Sequence, residues 1–180
     1  MHSFWVRANA VFFFGLAVLA GLATLNVLST WTLPDTAPDV NAFKVFQLRR
    51  LYNKGNRNVA VLSFELDVDL EPVWTWNTKQ IFAFVVAEYS GNVNKANGVV
   101  LFDKIIKTKD STRIHGKDIA KYQLLDFDED LRDVSISLKL AYDIHPIFGP
   151  LQLFGTGRRS ITFPDINIGQ LNYTFPTVYS

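Results

Sequence analysis

Residues 10–28 read AVFFFGLAVLAGLATLNVL, contain no charged side chain, and include only Thr24 and Asn26 as clearly polar members. A helix of this length covers about 28 Å at about 1.5 Å per residue, which is close to the hydrocarbon thickness of a thin bilayer. Lipid offers the main chain no hydrogen-bond partners, so a helix is the conformation open to such a segment. The stretch predicts one transmembrane helix from Ala10 to Leu28.

Two other interpretations of this stretch stay open. A cleaved signal peptide has an apolar region of about 7–15 residues that ends at small residues. Residues 20–23 could supply such a site, but the apolar run continues past them to Leu28. A buried helix of a soluble domain is the second alternative. We interpret the stretch as an uncleaved signal anchor.

The charges on either side of the span predict its orientation. The amino terminus and Arg7 precede the span, the next cation is Lys44, and Asp35 and Asp39 lie between. Positive charge favours the cytosolic side of a membrane. We therefore expect residues 1–9 to form a cytosolic tail and everything after the span to lie across the membrane.

Composition limits what the rest of the chain can do. The protein has 180 residues, a formal net charge of +1 and no cysteine, which excludes disulfides, cysteine–zinc sites and a cysteine nucleophile. The near-neutral charge supplies no basic field for nucleic acid. About 140 residues follow the span, the usual size of one domain.

A short linker is predicted between the span and this domain. Trp31 suits the membrane–water boundary, where aromatic side chains collect, and Pro34 and Pro38 disfavour a helix. Residues 29–41 are therefore predicted to be an extended linker, and residues 42–180 a folded domain with a carboxy-terminal tail. A linker this short would keep the domain against the membrane lipid, so the domain would act at the membrane surface.

The domain carries the alternation of apolar and polar residues that is typical of half-buried strands. The clearest examples are Val59–Leu70 and Val134–Tyr142, and Ile81–Tyr89 and Val99–Lys107 have the composition of more deeply buried strands. The shorter candidates are Phe43–Leu51, Tyr122–Phe127 and Arg158–Phe163. With no convincing amphipathic helix between them, these segments predict an all-β fold, an antiparallel β-sandwich. Residues 164–180 look irregular.

Metal ligands are too few for a recognisable site. The histidines are His2, His115 and His145, whereas structural zinc takes four nitrogen or sulfur ligands. The acidic run 126–130 begins like a calcium loop, but Leu131 stands at the sixth position, where glycine is required, and Ser137 at the twelfth, where glutamate is required. No metal site is predicted, and the run is interpreted as a solvated loop.

A row of carboxylates follows one face of the Val59–Leu70 segment. Glu65, Asp67, Asp69 and Glu71 recur about 6.6 Å apart along a strand. Such carboxylates could hold a cation or supply glycosidase chemistry. A water-facing row, partly offset by Lys or Arg on a neighbouring strand, is the interpretation we favour.

Catalytic motifs are missing from the sequence. There is no nucleophile elbow, phosphate-binding loop, dinucleotide fingerprint or His-Glu metalloprotease pair, and Gly155-Thr156-Gly157 runs into two arginines, which indicates a turn. We predict no catalytic residue, no cofactor and no small-molecule substrate. A Ser/Lys or Ser/His dyad assembled in space stays an alternative.

Two further features concern partners and modification. Ala17, Gly21 and Thr24 share one face of the predicted span, where small residues would allow another helix to approach closely; contact with lipid is the alternative. Asn172-Tyr173-Thr174 is an Asn-x-Ser/Thr sequon, so Asn172 is a glycosylation candidate.

Three blocks of the sequence resemble a known family. They are Trp76-Asn77-Thr78-Lys79-Gln80, Ala87-Glu88-Tyr89-Ser90 and Val99-Val100-Leu101-Phe102-Asp103-Lys104-Ile105. With the Arg7-Ala8-Asn9 start and the late Phe163-Pro164-Asp165, they closely resemble the signal peptidase complex subunit 3 family. The resemblance extends over nearly the whole chain in order and length.

This resemblance implies a function. It implies a single-pass type II membrane protein of the endoplasmic reticulum (ER), with a luminal β-sandwich. The protein would be a non-catalytic subunit of the complex that removes signal peptides, and a separate subunit would carry the serine-protease chemistry. Many members carry a sequon just before the strand at Val134–Tyr142, where this chain has Asp133.

Within the family blocks, we predict different roles for aromatic and charged residues. The aromatic residues are expected in the core: Trp74, Trp76, Phe82 and Phe84. Charged groups are rarely buried without partners, so the interface candidates are Lys79, Glu88, Asp103 and Lys104.

Two functions of other classes compete with a structural subunit. One is an ER-anchored β-sandwich that binds glycans or lipids, with Trp74 and Trp76 as a stacking platform. The other is a self-sufficient membrane-bound hydrolase. Exposed Trp rings beside a groove would favour the first, and intrinsic peptidase activity would favour the second.

Overall fold

The computed structural model describes residues 3–34, 36–53, 58–91, 97–126, 131, 134–149, 151, 159–162 and 166–167. One helix, α1, spans Phe4–Trp31. Its segment Phe4–Thr30 is long and apolar enough to cross a membrane, and none of its most apolar window is buried against the rest of the chain. A helix that is apolar all round and exposed suits lipid rather than water. The structure confirms one amino-terminal apolar helix.

Among the residues that the structure describes, nine strands follow α1, and they form two antiparallel sheets. The first sheet contains β1 (Asp39–Asn53), β2 (Asn58–Asp69), β5 (Arg113–Ile119) and β6 (Leu124–Asp126). The second contains β3 (Thr78–Tyr89), β4 (Asn97–Ile106), β7 (Ser135–Pro146), β8 (Arg159–Thr162) and β9 (Ile166–Asn167). Short 3-10 turns at Glu71–Val73 and Lys109–Ser111 connect the two sheets.

Each sheet is organised around long central strands. In the first, β2 pairs with β1 on one edge, and its other edge is shared by β5 and β6. In the second, the order is β4-β3-β7-β8, and β9 pairs with the beginning of β7. All of these pairings are antiparallel, as the sequence predicted.

The core lies between the inner faces of the two sheets. Phe64 of β2 is fully buried. Its ring centroid lies 5.9 Å from that of Phe43 in β1 and 6.2 Å from that of Phe102 in β4, on the opposite sheet. The apolar members of the alternating patterns therefore meet face to face, which makes the fold a β-sandwich.

Every strand predicted from alternation or composition has a counterpart in the structure, but two strands were missed. β5 contains only two large apolar residues, Ile114 and Ile119, five positions apart. Between them the register shifts and Asp118 has a positive φ of 59°, so the period-2 signal is broken. β9 is only two residues long and belongs to the tail predicted to be irregular.

Candidate functional site

One end of the sandwich faces α1, and we call it the anchor end. It comprises residues 36–39, 69–78, 106–113 and 146–149, where β1, β3 and β5 begin and β2, β4 and β7 end. After α1, Thr36 Oγ1 donates a hydrogen bond to the carbonyl oxygen of Pro72 over 2.6 Å. The connection between helix and sandwich is therefore held against this end.

The anchor end is fastened by the buried side chain of Asn77. Its Nδ2 donates to the carbonyl oxygen of Phe148 over 2.8 Å, and the Phe148 amide donates to its Oδ1 over 3.0 Å. The Ile147 amide also donates to the Asn77 carbonyl oxygen over 2.7 Å. The turn before β3 and the segment after β7 thus form one unit.

Gly149 brings this unit against α1. Its φ is +108°, a conformation that residues with a side chain rarely adopt. A Cβ added there would lie 3.2 Å from Cγ2 of Val27 in the last turns of the helix. Glycine therefore allows both the turn and the close approach.

Basic residues of β5 face the row of carboxylates on β2. Arg113 Nε and a terminal guanidinium nitrogen lie 3.1 and 3.0 Å from the two carboxylate oxygens of Asp67. His115 Nδ1 lies 3.4 Å from the same carboxylate, and Lys117 Nζ lies 3.6 Å from Glu65. The hydrogen bonds from Arg113 lower the pKa of Asp67 below its usual value. The prediction of carboxylates offset by a basic neighbouring strand is confirmed.

Two of the charged interface candidates lie far apart on β3. Lys79 is exposed one residue beyond the anchor end, and the described residues offer it neither a hydrogen bond nor an ion pair. Glu88 forms an ion pair with Lys139 on the neighbouring strand β7. Nine residues of strand separate the two, about 30 Å, so they do not form a single patch.

The other two candidates lie on β4, which is next to β3 at the edge of the second sheet. Asp103 accepts a hydrogen bond from Lys121 Nζ at 2.8 Å, which lowers the pKa of its carboxyl group. Lys104 Nζ donates to the Arg113 carbonyl oxygen over 3.4 Å. Both side chains therefore help hold residues 113–121 beside β4.

The small residues proposed for helix contact are exposed in the isolated chain. The side chains of Ala17 and Thr24 are exposed, and nothing lies within 4 Å of a Cβ built on Gly21. Thr24 Oγ1 donates to the Ala20 carbonyl oxygen over 2.9 Å, so its polar group is satisfied within the helix. This face is open to a second helix or to lipid.

Of the aromatic residues predicted in the core, Trp76 is a correction. Its side chain is 55% exposed, whereas Trp74 is half-buried against the core. The reason is a long-range contact: the neighbouring Asn77 is buried and hydrogen-bonded to the main chain of Phe148, which leaves Trp76 outside. Phe82 and Phe84 are also corrections: they stack on each other with centroids 5.2 Å apart, on the face of β3 opposite its core-facing residues. Phe82 is therefore half-buried, and Phe84 is buried outside the core between the two sheets.

Some predicted features lie outside the described residues: Asn172, residues 127–130 and residues 155–157. Asp126, the first residue of the acidic run, is described, and it accepts a hydrogen bond from the Tyr89 hydroxyl. Within the described ranges, no group of three or more His, Asp or Glu side chains could hold a metal ion. Sequence reasoning missed the role of Asn77, because nothing in the local pattern indicates a partner 71 positions away.

These features define a class of protein: a β-sandwich attached by a few residues to an apolar helix that could cross a membrane. Comparison with known proteins identifies the family. Residues 1–166 match the sequence profile described as "Signal peptidase subunit", and this chain belongs to that family.

Relatives from distant organisms agree with this assignment. The chain is 36% identical over 164 residues to signal peptidase complex subunit 3 of Dictyostelium discoideum, covering 91% of this chain and 95% of that protein. It is 33% identical over 172 residues to the Gallus gallus protein of the same name, and 32% identical over 173 residues to the Homo sapiens one. Each of these two alignments covers 92% of this chain and 96% of the relative.

Proposed function

We propose that this chain is the non-catalytic subunit 3 of the ER signal peptidase complex, where it supports a separate catalytic subunit. The observation that carries the proposal is the family match over residues 1–166, with relatives of that name aligned over most of their length. In this proposal residues 1–9 are cytosolic, α1 is a type II signal anchor, and residues 42–180 are luminal.

The geometry supports a role in positioning a partner. Only residues 32–38 separate the helix from the first strand, so the sandwich is held close to the membrane in which it is anchored. Displacing a catalytic group by about 1 Å can cost on the order of 100-fold in rate. A rigid subunit anchored in the same bilayer limits such displacement.

Depletion tests the function directly. Cells that lack this chain should accumulate secretory precursors with uncleaved signal peptides, and the full chain should restore cleavage. The full chain purified in mild detergent should bring down the catalytic subunit. Normal processing in depleted cells would contradict the proposal.

The charged candidates on β3 can be tested separately. We expect Lys79→Glu or Glu88→Lys to weaken co-purification with the catalytic subunit if that side chain contacts it. Lys44→Glu is the matched control, because Lys44 is an exposed strand lysine on the other sheet. If all three variants recover as much catalytic subunit as the natural chain does, Lys79 and Glu88 are not interface residues.

The luminal location can be tested with an engineered sequon. Asp133→Asn converts Asp-Val-Ser at residues 133–135 into an Asn-x-Ser acceptor, and Ser135 begins β7 at the end of the strand opposite the anchor end. If the domain is luminal, this variant gains a glycosidase-sensitive mobility shift. Adding Ser135→Ala removes the acceptor and should abolish the shift. Asn172→Gln tests the natural sequon in the same assay.

The glycan- or lipid-binding alternative is not favoured. A stacking platform needs two exposed rings, whereas Trp74 packs against the core and only Trp76 projects from the surface.

A further inference from the structure

Three large apolar side chains project from the anchor end without cover. Trp76 is 55% exposed, Ile147 54% and Phe148 52%. They come from two segments distant in sequence, the turn before β3 and the segment after β7, which the hydrogen bonds of Asn77 join. A cluster of exposed apolar side chains marks a surface that meets something other than water.

The cluster is held in a fixed arrangement. Both main-chain polar groups of Phe148 are bonded to Asn77, and the Ile147 amide is bonded to the Asn77 carbonyl oxygen. A preordered surface loses little conformational freedom when it binds, so the exposure of these side chains is built into the fold.

The position of α1 decides what this surface meets. The residue after Phe148 is Gly149, which lies against Val27. Val27 is four residues before the end of α1 at Trp31, about 6 Å along the helix axis. The cluster therefore lies at the level where the candidate span leaves the hydrocarbon, and tryptophan is enriched at that level.

The charges around the cluster fit the same surroundings. The anchor end carries carboxylates at Asp39, Asp69, Glu71 and Asp110, and Glu71 forms an ion pair with Lys109. Lys107, and Lys79 one residue beyond this end, are exposed, and no hydrogen bond or ion pair joins either lysine to the described residues. Lysine side chains beside a bilayer can place their ammonium groups among lipid phosphates. Apolar side chains flanked by free lysines are typical of a surface that rests in the headgroup layer.

We propose that Trp76, Ile147 and Phe148 form a lipid-contact surface that inserts into the interfacial layer of the leaflet from which α1 emerges. The surface gives the sandwich a second attachment to the bilayer and thereby limits its rotation about the linker. This inference rests on the membrane anchoring by α1 that the proposed function includes, and it adds the surface through which the sandwich meets lipid.

The protein has no cysteine, so a single introduced thiol is a unique labelling site. The full chain carrying Phe148→Cys is labelled with an environment-sensitive fluorophore and reconstituted in vesicles of phosphatidylcholine with a minority of phosphatidylinositol. We expect blue-shifted emission, quenching by lipid-borne nitroxide, protection from aqueous iodide, and a depth of about 5–10 Å inside the headgroup boundary.

Val100→Cys is the matched control. Val100 is a similarly exposed apolar residue, at 41%, and it lies six residues before the anchor end of β4, about 20 Å away. Its label should emit as in water and be quenched by iodide. A second variant labels the other segment: Trp76→Cys should behave like Phe148→Cys, and adding Ile147→Ser and Phe148→Ser should reduce its quenching by lipid.

Two results would overturn the inference. One is a label at position 148 that stays in water both in vesicles and in the purified complex. The other is a label exposed in vesicles and protected only in the complex, which would assign the surface to a protein partner. Co-purification of each labelled chain with the catalytic subunit is measured in parallel. If the labelled chain co-purifies with the catalytic subunit but its label at position 148 stays in water, this inference alone is contradicted. If the label at position 148 lies in lipid but the chain fails to co-purify, the proposed function alone is contradicted.

Discussion

The side chain of Asn77 holds the main chain of Phe148 through two hydrogen bonds, donating to its carbonyl oxygen at 2.8 Å and accepting from its amide at 3.0 Å. The pair joins the turn before β3 to the segment after β7, at the end of the sandwich that faces α1. A buried amide is expensive to leave without partners, so this contact fixes the two segments relative to each other.

Removing that amide should loosen the anchor end. Asn77→Ala leaves the Phe148 amide and carbonyl without partners, and we expect a loss of about 1–3 kcal/mol in the free energy of unfolding. The measurement is denaturant unfolding of the full chain in mild detergent. Asn41→Ala, at an exposed position of β1, should change stability by less than about 0.5 kcal/mol. Equal stability of the two variants would show that the contact contributes nothing.

Gly149 should not tolerate a side chain. Gly149→Ala places a Cβ 3.2 Å from Val27 at a φ of +108°, and we expect a cost of about 1–3 kcal/mol. Adding Val27→Ala should recover only part of this cost, because it relieves the contact but not the backbone strain. Gly98→Ala is the control, since its Cβ would meet only Val86 at 3.6 Å. If Gly149→Ala unfolds like Gly98→Ala, the close approach of α1 is wrong.

The Asp67–Arg113 pair should make stability depend on pH in the acidic range. Hydrogen bonds from Arg113 lower the folded-state pKa of Asp67. The contribution of the pair is therefore complete above the unfolded-state pKa, and it is lost as the pH falls through the lower folded-state value. Arg113→Ala should be less stable than the natural protein at neutral pH, and the difference should shrink on acidification.

Unfolding curves at a series of pH values from neutral to about pH 2 check this prediction. Lys117→Ala is the control, because Lys117 is 71% exposed and 3.6 Å from Glu65. It should have a small effect without the same pH dependence. A stability difference for Arg113→Ala that stays constant across the series would rule out linkage through Asp67.

Phe64 should be the most sensitive of the aromatic positions. It is fully buried and contacts Phe43 in its own sheet and Phe102 in the opposite one. Phe64→Ala should cost about 3–5 kcal/mol through lost burial and the cavity left behind. Phe82→Ala removes a half-buried ring and should cost clearly less. A reversal of this order, measured by unfolding in detergent, would contradict the assignment of the core.

The predicted glycosylation site, the charged interface candidates and the helix-contact face stay predictions. The charged candidates illustrate why sequence alone could not rank them. Glu88, Asp103 and Lys104 all bond within the chain, whereas Lys79 stays free among the described residues. Their partners Lys139, Lys121 and Arg113 lie 9–51 positions away, and no local pattern indicates such pairings.

The sequence by itself determined the apolar helix, the class of fold and the outward direction of the β2 carboxylates. Each of these follows from local composition or from a two-residue period, because a strand places successive side chains on opposite faces. The tertiary structure decided what depends on distant contacts. It made Arg113–Ile119 a strand by pairing that segment with β2, although its own alternation is broken. It also placed Trp76 outside, because the neighbouring Asn77 is bound to a main chain 71 residues away.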